Sequence, residues 1–541
     1  MFYSKYISKL QKLEWTQTKL IFFTVLFVVV FDNYSFFENV LKVYPLDFHN
    51  SGFLISLVFF IIAFNVFLFT LFSSKYTTKI LLIIMLLVSS LTNYFMNTYH
   101  IIVDADMIRN TMQTNLHESM DLFSLKQVIY FLFLGVVPSY FVYEAKINYK
   151  VLHKELFNKS LYIISTLVLI AMMTMMFSKH YTSFFREHKS LRFSVNPTYW
   201  IYSIGNYINK TLNSGPIVVE KIGTDAKVVE EGNIKELVIM VLGEAARADH
   251  FSLNGYEKET NPLLKKEDII NFLHMSACGT STAYSVPCMF SIFDRKDYTY
   301  KKGISTHNVL DVLKATEDIE ILWRDNNSDS KGVAVRVPYE NYKSPKINTI
   351  CEDGECRDEG MLVGLDEYIT KNEGKDILIV LHQMGNHGPA YYKRYPKKFE
   401  KFTPVCKSNQ LEECTQEEIS NGYDNALLYT DYFLSKTINL LKKYEHSHET
   451  AMIYMSDHGE SLGENGVYLH GLPYFMAPDA QKHIGSFMWF GDEMKKEIPI
   501  SKLKKEKDKI YSHDNLFHTL IGLFEVKTEV YDRDKDMVHD Y

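Results

Sequence analysis

Three stretches far apart in this 541-residue chain carry side chains suited to binding a divalent metal or attacking phosphorus: Glu244, the pair Asp457-His458, and the hydroxyl run Thr280-Ser281-Thr282. Two carboxylates and an imidazole form a mixed donor set that zinc accepts, and three such ligands leave a fourth position open. A hydroxyl placed there has its pKa lowered and becomes a nucleophile. The hydroxyl run lies between Cys278 and Cys288 at what reads as a helix start, where unpaired N–H groups and the helix dipole supply positive potential. Spacing alone does not choose among the hydroxyls, and the segment also reads as an ordinary capped helix. His382, His387 and His470 make a second tier, suited to holding a phosphate, moving protons or binding a second metal. Lys331 closes the polar turn 325–331 and suits a phosphate contact.

The pattern around these residues predicts what positions them. Residues 236–242 form an apolar run that ends in Gly243-Glu244; residues 376–381 run into His382; residues 450–455 run into Ser456-Asp457-His458. Each run reads as a buried parallel strand, and in open α/β sheets ligands collect at the carboxyl ends of strands, so the tails should converge. Gly243 and Gly459 allow the backbone to approach closely beside them. The apolar spacing of residues 421–444 predicts a packing helix.

Five apolar runs, at residues 20–37, 53–72, 80–96, 128–143 and 160–177, are long enough or nearly so to cross a bilayer. Lysines 5, 9, 12 and 19 precede the first, Lys75 and Lys79 separate the second and third, and Lys146, Lys150, Lys154 and Lys159 separate the fourth and fifth. By the positive-inside rule those segments are cytoplasmic, so an odd number of crossings exports everything after residue 177. All six cysteines (Cys278, Cys288, Cys351, Cys356, Cys406, Cys414) fall in that exported part. Their order favours local pairs in an oxidising compartment, although sequence leaves other connectivities open. Between the two regimes, residues 178–232 mix aromatics with cations, as do helices lying in a membrane interface. The expected division is therefore a membrane domain (1–177), an interfacial bridge (178–231) and a catalytic domain (232–541). The net charge of −7 hides this split and says little about partners, and no basic tract resembles a nucleic-acid footprint, so no nucleic-acid partner is expected.

The strings CGTSTAYSVPCMFS, LGEAARADHFSLNGY, WRDNNSDSKG, LHQMGNHGPAYYKRYP and SDHGESLGENGVYLHGLPY closely resemble those of the lipid A phosphoethanolamine transferases, including the mobile colistin-resistance enzymes. The resemblance spans almost the whole chain. It implies an α/β chain with five membrane helices and a periplasmic alkaline-phosphatase-like α/β/α sandwich, acting as a monomer in the inner membrane of a bacterium. It implies one tightly bound Zn²⁺ at Glu244, Thr282, Asp457 and His458, with room for a second, and Thr282 as the residue that takes up phosphoethanolamine. His387, His470, Lys331 and His382 resemble its substrate-phosphate and second-metal positions. Asn110, Thr114 and Glu118 recur every four residues, a spacing that by itself describes a solvated helix face; by resemblance they contact the ethanolamine headgroup, with Tyr99 nearby. The three local disulfides fit the same pattern. The implied reaction moves phosphoethanolamine from phosphatidylethanolamine to a phosphate of lipid A; the alternative is transfer of phosphoethanolamine or phosphoglycerol to another envelope glycan or protein. A sulfatase is disfavoured, since neither Thr282 nor Cys288 is followed by the Pro and Arg that such a site needs.

Overall fold

The computed structural model describes residues 15–114, 116–212, 218–229 and 234–538. They form two compact units, one of residues up to 108 together with 123–210, the other of residues 109–122 together with 211 onward.

In the first unit four apolar helices have the length to span a membrane: Phe48–Phe72, Thr78–Tyr99, Leu125–Glu144 and Leu152–Met176. A fifth span is made by the pair Gln17–Phe31 and Tyr34–Val43 if it is taken as one, bent by 60°. The ends expected to share a side do so. Lys159 Nζ donates to the carbonyls of Leu71 (3.0 Å) and Ser73 (2.8 Å), and Lys79 Nζ donates to the Tyr143 carbonyl (2.5 Å). Beyond the last span, the helix Ser178–Arg186 turns its aromatic rings inward: Tyr181 and Phe184 are buried, and both rings lie against Phe53. Asn196 is fixed by buried polar bonds, its N–H donating to Asn33 Oδ1 (2.8 Å) and its amide to the Ser89 carbonyl (2.9 Å). Apolar burial is a weak force between helices in lipid, and such bonds do part of the holding.

The second unit is built on a seven-stranded sheet. We label its strands β1 (Lys235–Gly243), β2 (Ile269–Asn271), β3 (Ile319–Asp325), β4 (Tyr339–Asn341), β5 (Asp376–His382), β6 (His448–Ser456) and β7 (Ser486–Phe490). The order across the sheet is β2-β7-β6-β1-β5-β3-β4. β6, β1, β5, β3 and β4 are parallel; β7 runs antiparallel to β6, and β2, antiparallel to β7, closes that edge. β5 and β6 are buried along their whole length, as continuous apolar runs with both faces covered must be. Val238, Met240 and Leu242 face helices α1 (Thr282–Met289) and α3 (Leu516–Leu523) in one core; α2 (Gln416–Leu441) packs against β1 and β6. α2 starts five residues before the apolar spacing suggests, because Thr415 and Glu418 form a capping box.

Register does the positioning. Ser456 pairs with Gly243, Leu242 with His382, and Asp325 with His382. Four parallel strands thus end level, and the residues that follow leave the sheet at one edge.

At the opposite edge of the sheet, Glu236 opens β1 beside Asp376, whose Oδ1 accepts the Glu236 N–H at 3.1 Å. Burial first, and then Asp376, push the Glu236 carboxyl up to about 9. The folded chain therefore holds a proton that the unfolded chain has released, and stability falls as pH climbs from the ordinary carboxylate range toward 9. Glu236→Gln removes that loss. We expect the variant to be more stable than the parent by roughly 2 kcal/mol at pH 8 and nearly equal to it at pH 4.5, as read from thermal unfolding of the detergent-solubilised protein.

Candidate active site

Glu244 follows β1 directly, Asp457 and His458 follow β6, and Thr282 is the first residue of α1. All four are buried, Glu244, Asp457 and His458 completely. Thr282 Oγ1 donates to Glu244 Oε2 at 3.1 Å and stands 3.3 Å from His458 Nε2. His458 Nε2 is 3.3 Å from Glu244 Oε1 and 3.4 Å from Asp457 Oδ2. Its other nitrogen, Nδ1, faces the Gly459 carbonyl at 2.8 Å. A carbonyl only accepts, so Nδ1 carries a proton, and Nε2 is the nitrogen left to offer a lone pair to a cation bound in the cluster.

The remaining polar atoms show how well this cradle fits a cation. Asp457 Oδ1 accepts from the N–H groups of Ala245 (3.2 Å) and His458 (2.7 Å), and Glu244 Oε2 accepts from Asn327 Nδ2 (2.8 Å). Asp457 Oδ2 and Glu244 Oε1, both buried, have no hydrogen-bond donor among the described residues. Leaving such atoms unsatisfied costs on the order of 1–3 kcal/mol each, more where they are charged. The electrostatics agree. Burial and the neighbouring Glu244 push the Asp457 carboxyl up to about 6; for His458, Asp457 and Glu244 overcome the effect of burial and push the imidazole up to about 10. Surplus negative charge that draws in protons is charge a divalent ion can neutralise.

The hydroxyl run now resolves. Thr280 Oγ1 donates to the Leu472 carbonyl (2.6 Å), and Ser285 Oγ donates to the Asp457 carbonyl. Ser281 takes extended backbone as the N-cap, but its side chain makes no capping bond. Thr282 is the residue of the run that meets the cluster. The cysteines pair as 278–288, 351–356 and 406–414, and the first bridge spans the turn and the helix that carry Thr282. Close approach is real at Gly459, where a Cβ would lie 2.0 Å from the Ala480 carbonyl oxygen. Replacing Cys278 and Cys288 together by serine should leave a folded protein whose transfer rate falls by about tenfold, because the turn aiming Thr282 loses its tie. Steady-state kinetics beside a thermal melt check this.

The second tier divides. His470 Nδ1 donates to Glu460 Oε2 (2.7 Å), and Tyr391 donates its phenolic hydrogen to Glu460 Oε1 (2.8 Å), so the His470 tautomer is fixed with Nε2 outward. The His470 ring centre lies 4.2 Å from that of His458 and 5.8 Å from that of His387, which places His387 beside it. Glu460, His470 and His458 form a second group with ligand atoms within 4.8 Å of one another. It shares His458 with the first, and since Nδ1 is committed to Gly459, Nε2 can serve one group at a time. His382 stands at the neighbouring strand end: its Nδ1 is 2.9 Å from Asp325 Oδ2, and its buried Nε2 has no hydrogen-bond partner among the described residues. Asp325, held also by Trp323 Nε1 (3.0 Å), outweighs the effect of burial and raises the His382 pKa. Lys331 is buried with positive φ (+50°), and its Nζ donates to the Ser328 carbonyl (3.2 Å) within its own turn.

Asn110 lies in a helix, Ala105–Gln113, that ends before Thr114; a separate helix, Leu116–Asp121, follows. The four-residue spacing therefore does not make one continuous helical face, contrary to expectation. Thr114 Oγ1 donates back to the Asn110 carbonyl (2.7 Å), which takes its hydroxyl into the chain turn. The Glu118 side chain lies outside the described residues. Tyr99 is buried in the first unit, stacked on Phe95 and edge-on to Tyr94.

Sequence reading missed Asn327, Glu460 and Asp325. The signal for each was the same strand-end position that exposed Glu244. His513 was missed too: its Nε2 donates to the Ser456 carbonyl (2.9 Å) and its Nδ1 accepts from the Cys278 N–H (3.0 Å), tying the Thr282 turn to the Asp457 loop. Burial lowers its pKa to about 4, so it stays neutral.

Comparison with known proteins completes the description. A sulfatase family profile matches residues 236–526, and a profile described as phosphoethanolamine transferase EptA/EptB matches residues 61–212. The phosphatidylethanolamine transferase Mcr-2 of Escherichia coli is 44% identical, covering 93% of this chain and 94% of its own length. Phosphoethanolamine transferase EptA of E. coli K12 is 40% identical, covering 94% and 93%. Among solved structures, the integral membrane lipooligosaccharide phosphoethanolamine transferase EptA of Neisseria meningitidis superposes with a TM-score of 0.93 at 34% identity, over 97% of this chain and 99% of that one.

Proposed function

The chain belongs to the phosphoethanolamine transferases, and from that premise we propose that it takes phosphoethanolamine from phosphatidylethanolamine onto Thr282 and passes it to a phosphate of lipid A. It is an integral membrane protein with a periplasmic α/β domain, as in the full-length Neisseria structure. One observation carries the mechanistic reading: a buried hydroxyl at a helix start stands 3.1 and 3.3 Å from two members of a carboxylate–imidazole cradle in which two further oxygens lack donors.

Zinc is the cation that suits two carboxylates and an imidazole; Glu244, Asp457 and His458 would hold it with Thr282, and bound there it would supply Lewis acidity that makes a hydroxyl more acidic and offsets charge on phosphoryl oxygens. The chain's residues do the rest. Glu244 Oε2 accepts the hydrogen bond of Thr282 Oγ1, which turns its lone pairs toward an incoming phosphorus, and takes the proton as Thr282 attacks. Attack forms the Thr282 O–P bond and breaks the bond from phosphorus to diacylglycerol oxygen, which must gain a proton to leave. His470 in its doubly protonated form, Nδ1–H held by Glu460, gives its Nε2 proton to that oxygen, with His387 beside it. In the second half a hydroxyl of a lipid A phosphate gives its proton to His470 Nε2 and its oxygen attacks the same phosphorus; Thr282 leaves and takes back its proton from Glu244, so the enzyme is restored. Lys331 and His382 supply positive charge near the strand ends for the equatorial oxygens. Asn110, Thr114, Glu118 and Tyr99 are the candidates for the ethanolamine headgroup. Both substrates are membrane lipids, and a membrane-anchored catalyst meets them by diffusion in a plane. Residues 1–177, 178–231 and 232–541 would then divide the labour as anchor, interfacial bridge and catalyst. Adding an amine to an anionic lipid weakens its attraction for cationic peptides such as colistin.

Mass spectrometry of lipid A from cells expressing the chain tests this. The parent should add phosphoethanolamine to lipid A and Thr282→Ala should not; unmodified lipid A in both would overturn the acceptor.

A further inference from the structure

Residues 109–122 lie in sequence between two membrane helices, yet they pack as part of the catalytic unit. Two anchors hold them there. At one end the Arg109 guanidinium lies 4.0 Å from the centre of the Tyr300 ring, and Gln113 Nε2 donates to the Tyr300 hydroxyl (3.2 Å). At the other end Asp121, 3% exposed, accepts from Lys393 Nζ and from Arg394 Nη2, both at 2.5 Å; its backbone carbonyl accepts from Asn409 Nδ2 (2.7 Å). The Arg394 side chain is 1% exposed, and its guanidinium donates in two further directions, Nη1 to Glu355 Oε2 (3.0 Å) and Nε to the backbone carbonyl of His387 (2.7 Å). A planar guanidinium fixes its acceptors at set angles. One fork therefore holds both the end of segment 109–122 and the loop that carries His387. The stretch from His387 to Arg394 also contains Tyr391, which orients Glu460 and through it His470.

We propose that Asp121 is a positioning residue: through Arg394 it sets the segment bearing Asn110 and Thr114 in register with His387 and His470. The inference rests on the reading of Asn110 and Thr114 as contacts for the donor's amine, and of the histidines as proton carriers. Charge in the network is balanced, two acids against two bases, and Lys393 is partly solvated, its side chain 35% exposed. Arg394 keeps Glu355 when Asp121 is neutralised, so Asp121→Asn should fold while its segment loosens. Burial alone would raise the Asp121 pKa, but Arg394 and Lys393 outweigh it and hold the carboxyl below its usual range, so the clamp stays charged at neutral pH.

The test uses full-length enzyme in lipid micelles and two donors, phosphatidylethanolamine and an aryl phosphodiester that lacks the amine. Asp121→Asn should raise KM for the amine-bearing donor about tenfold with kcat nearly unchanged, and leave kcat/KM for the amine-free donor as it was. Asp121→Glu should recover most of the loss, and hydrogen exchange over residues 109–122 should speed up in the asparagine variant alone. Equal loss on both donors, or no loss on either, would overturn the proposal. Asn110→Ala serves as the separate control. If it raises KM for the amine donor while Asp121→Asn does nothing, the clamp is wrong and the headgroup reading stands; if Asp121→Asn gives the expected split while Asn110→Ala is silent, the clamp stands and the role of Asn110 falls.

Discussion

Thr282→Ala abolishes transfer, with a loss of roughly 10⁴-fold or more, and leaves the protein folded. The size of the effect follows from the absence of a substitute. Thr280 and Ser285 commit their hydroxyls to the backbone carbonyls of Leu472 and Asp457. The fold survives because the substitution removes a hydroxyl and a methyl from the first turn of α1 without disturbing the contacts of Val286 and Met289 in the core. Thr282→Ser keeps the oxygen and should retain activity to within about tenfold, the difference being the rotamer freedom that the β-branch suppresses. Ser281→Ala should be nearly silent. Initial rates on purified enzyme with a labelled donor separate these cases.

Asp457→Asn and Glu244→Gln are expected to cost about 10³-fold in rate and to empty the metal site. The stability of Asp457→Asn should move in the opposite direction. In chelated protein the two carboxylates repel each other in a buried site, and burial together with Glu244 keeps the Asp457 carboxyl up at about 6. An amide at position 457 relieves that repulsion, so Asp457→Asn should melt at a higher temperature than the parent in chelator, yet gain far less on addition of zinc. A simple structural role for the cluster predicts lower melting in both conditions. Asn327→Ala should lower zinc affinity by roughly 10–100-fold, because it frees Glu244 Oε2 from its donor. Metal content by elemental analysis and paired thermal melts read all three.

Much of this site was legible before any coordinates because parallel strands carry a positional rule. Apolar runs of similar length, each ending in a residue able to bind metal, must deliver those residues to one edge if the strands are in register, and Ser456 opposite Gly243 and Leu242 opposite His382 show that they are. Membrane topology was legible for a comparable reason, since lysine bias and cysteine placement report on two sides of one bilayer. What escaped was set by side-chain geometry. Nothing in the spacing separates Thr282 from Thr280; the choice is made by where each hydroxyl points. Asp325, Asn327 and Glu460 act by orienting other residues, and a carboxylate or amide that supports a ligand has no sequence period of its own. His513 arrives from a remote strand-to-helix turn, and Asp121 from the membrane half of the chain. The helical face drawn through Asn110 and Thr114 failed because a period of four assumes an unbroken helix, and the helix ends at Gln113.

The central claim is that Thr282 carries the phosphoethanolamine group between the two lipids. Incubating the full-length enzyme with phosphatidylethanolamine and no acceptor, then quenching in acid and sequencing peptides by mass spectrometry, tests it most directly. The peptide containing residues 278–290 should gain one phosphoethanolamine, mapped to Thr282 and discharged when lipid A is added. A group mapped to Thr280 or Ser281, or turnover to lipid A with no modified peptide at any time, would contradict it.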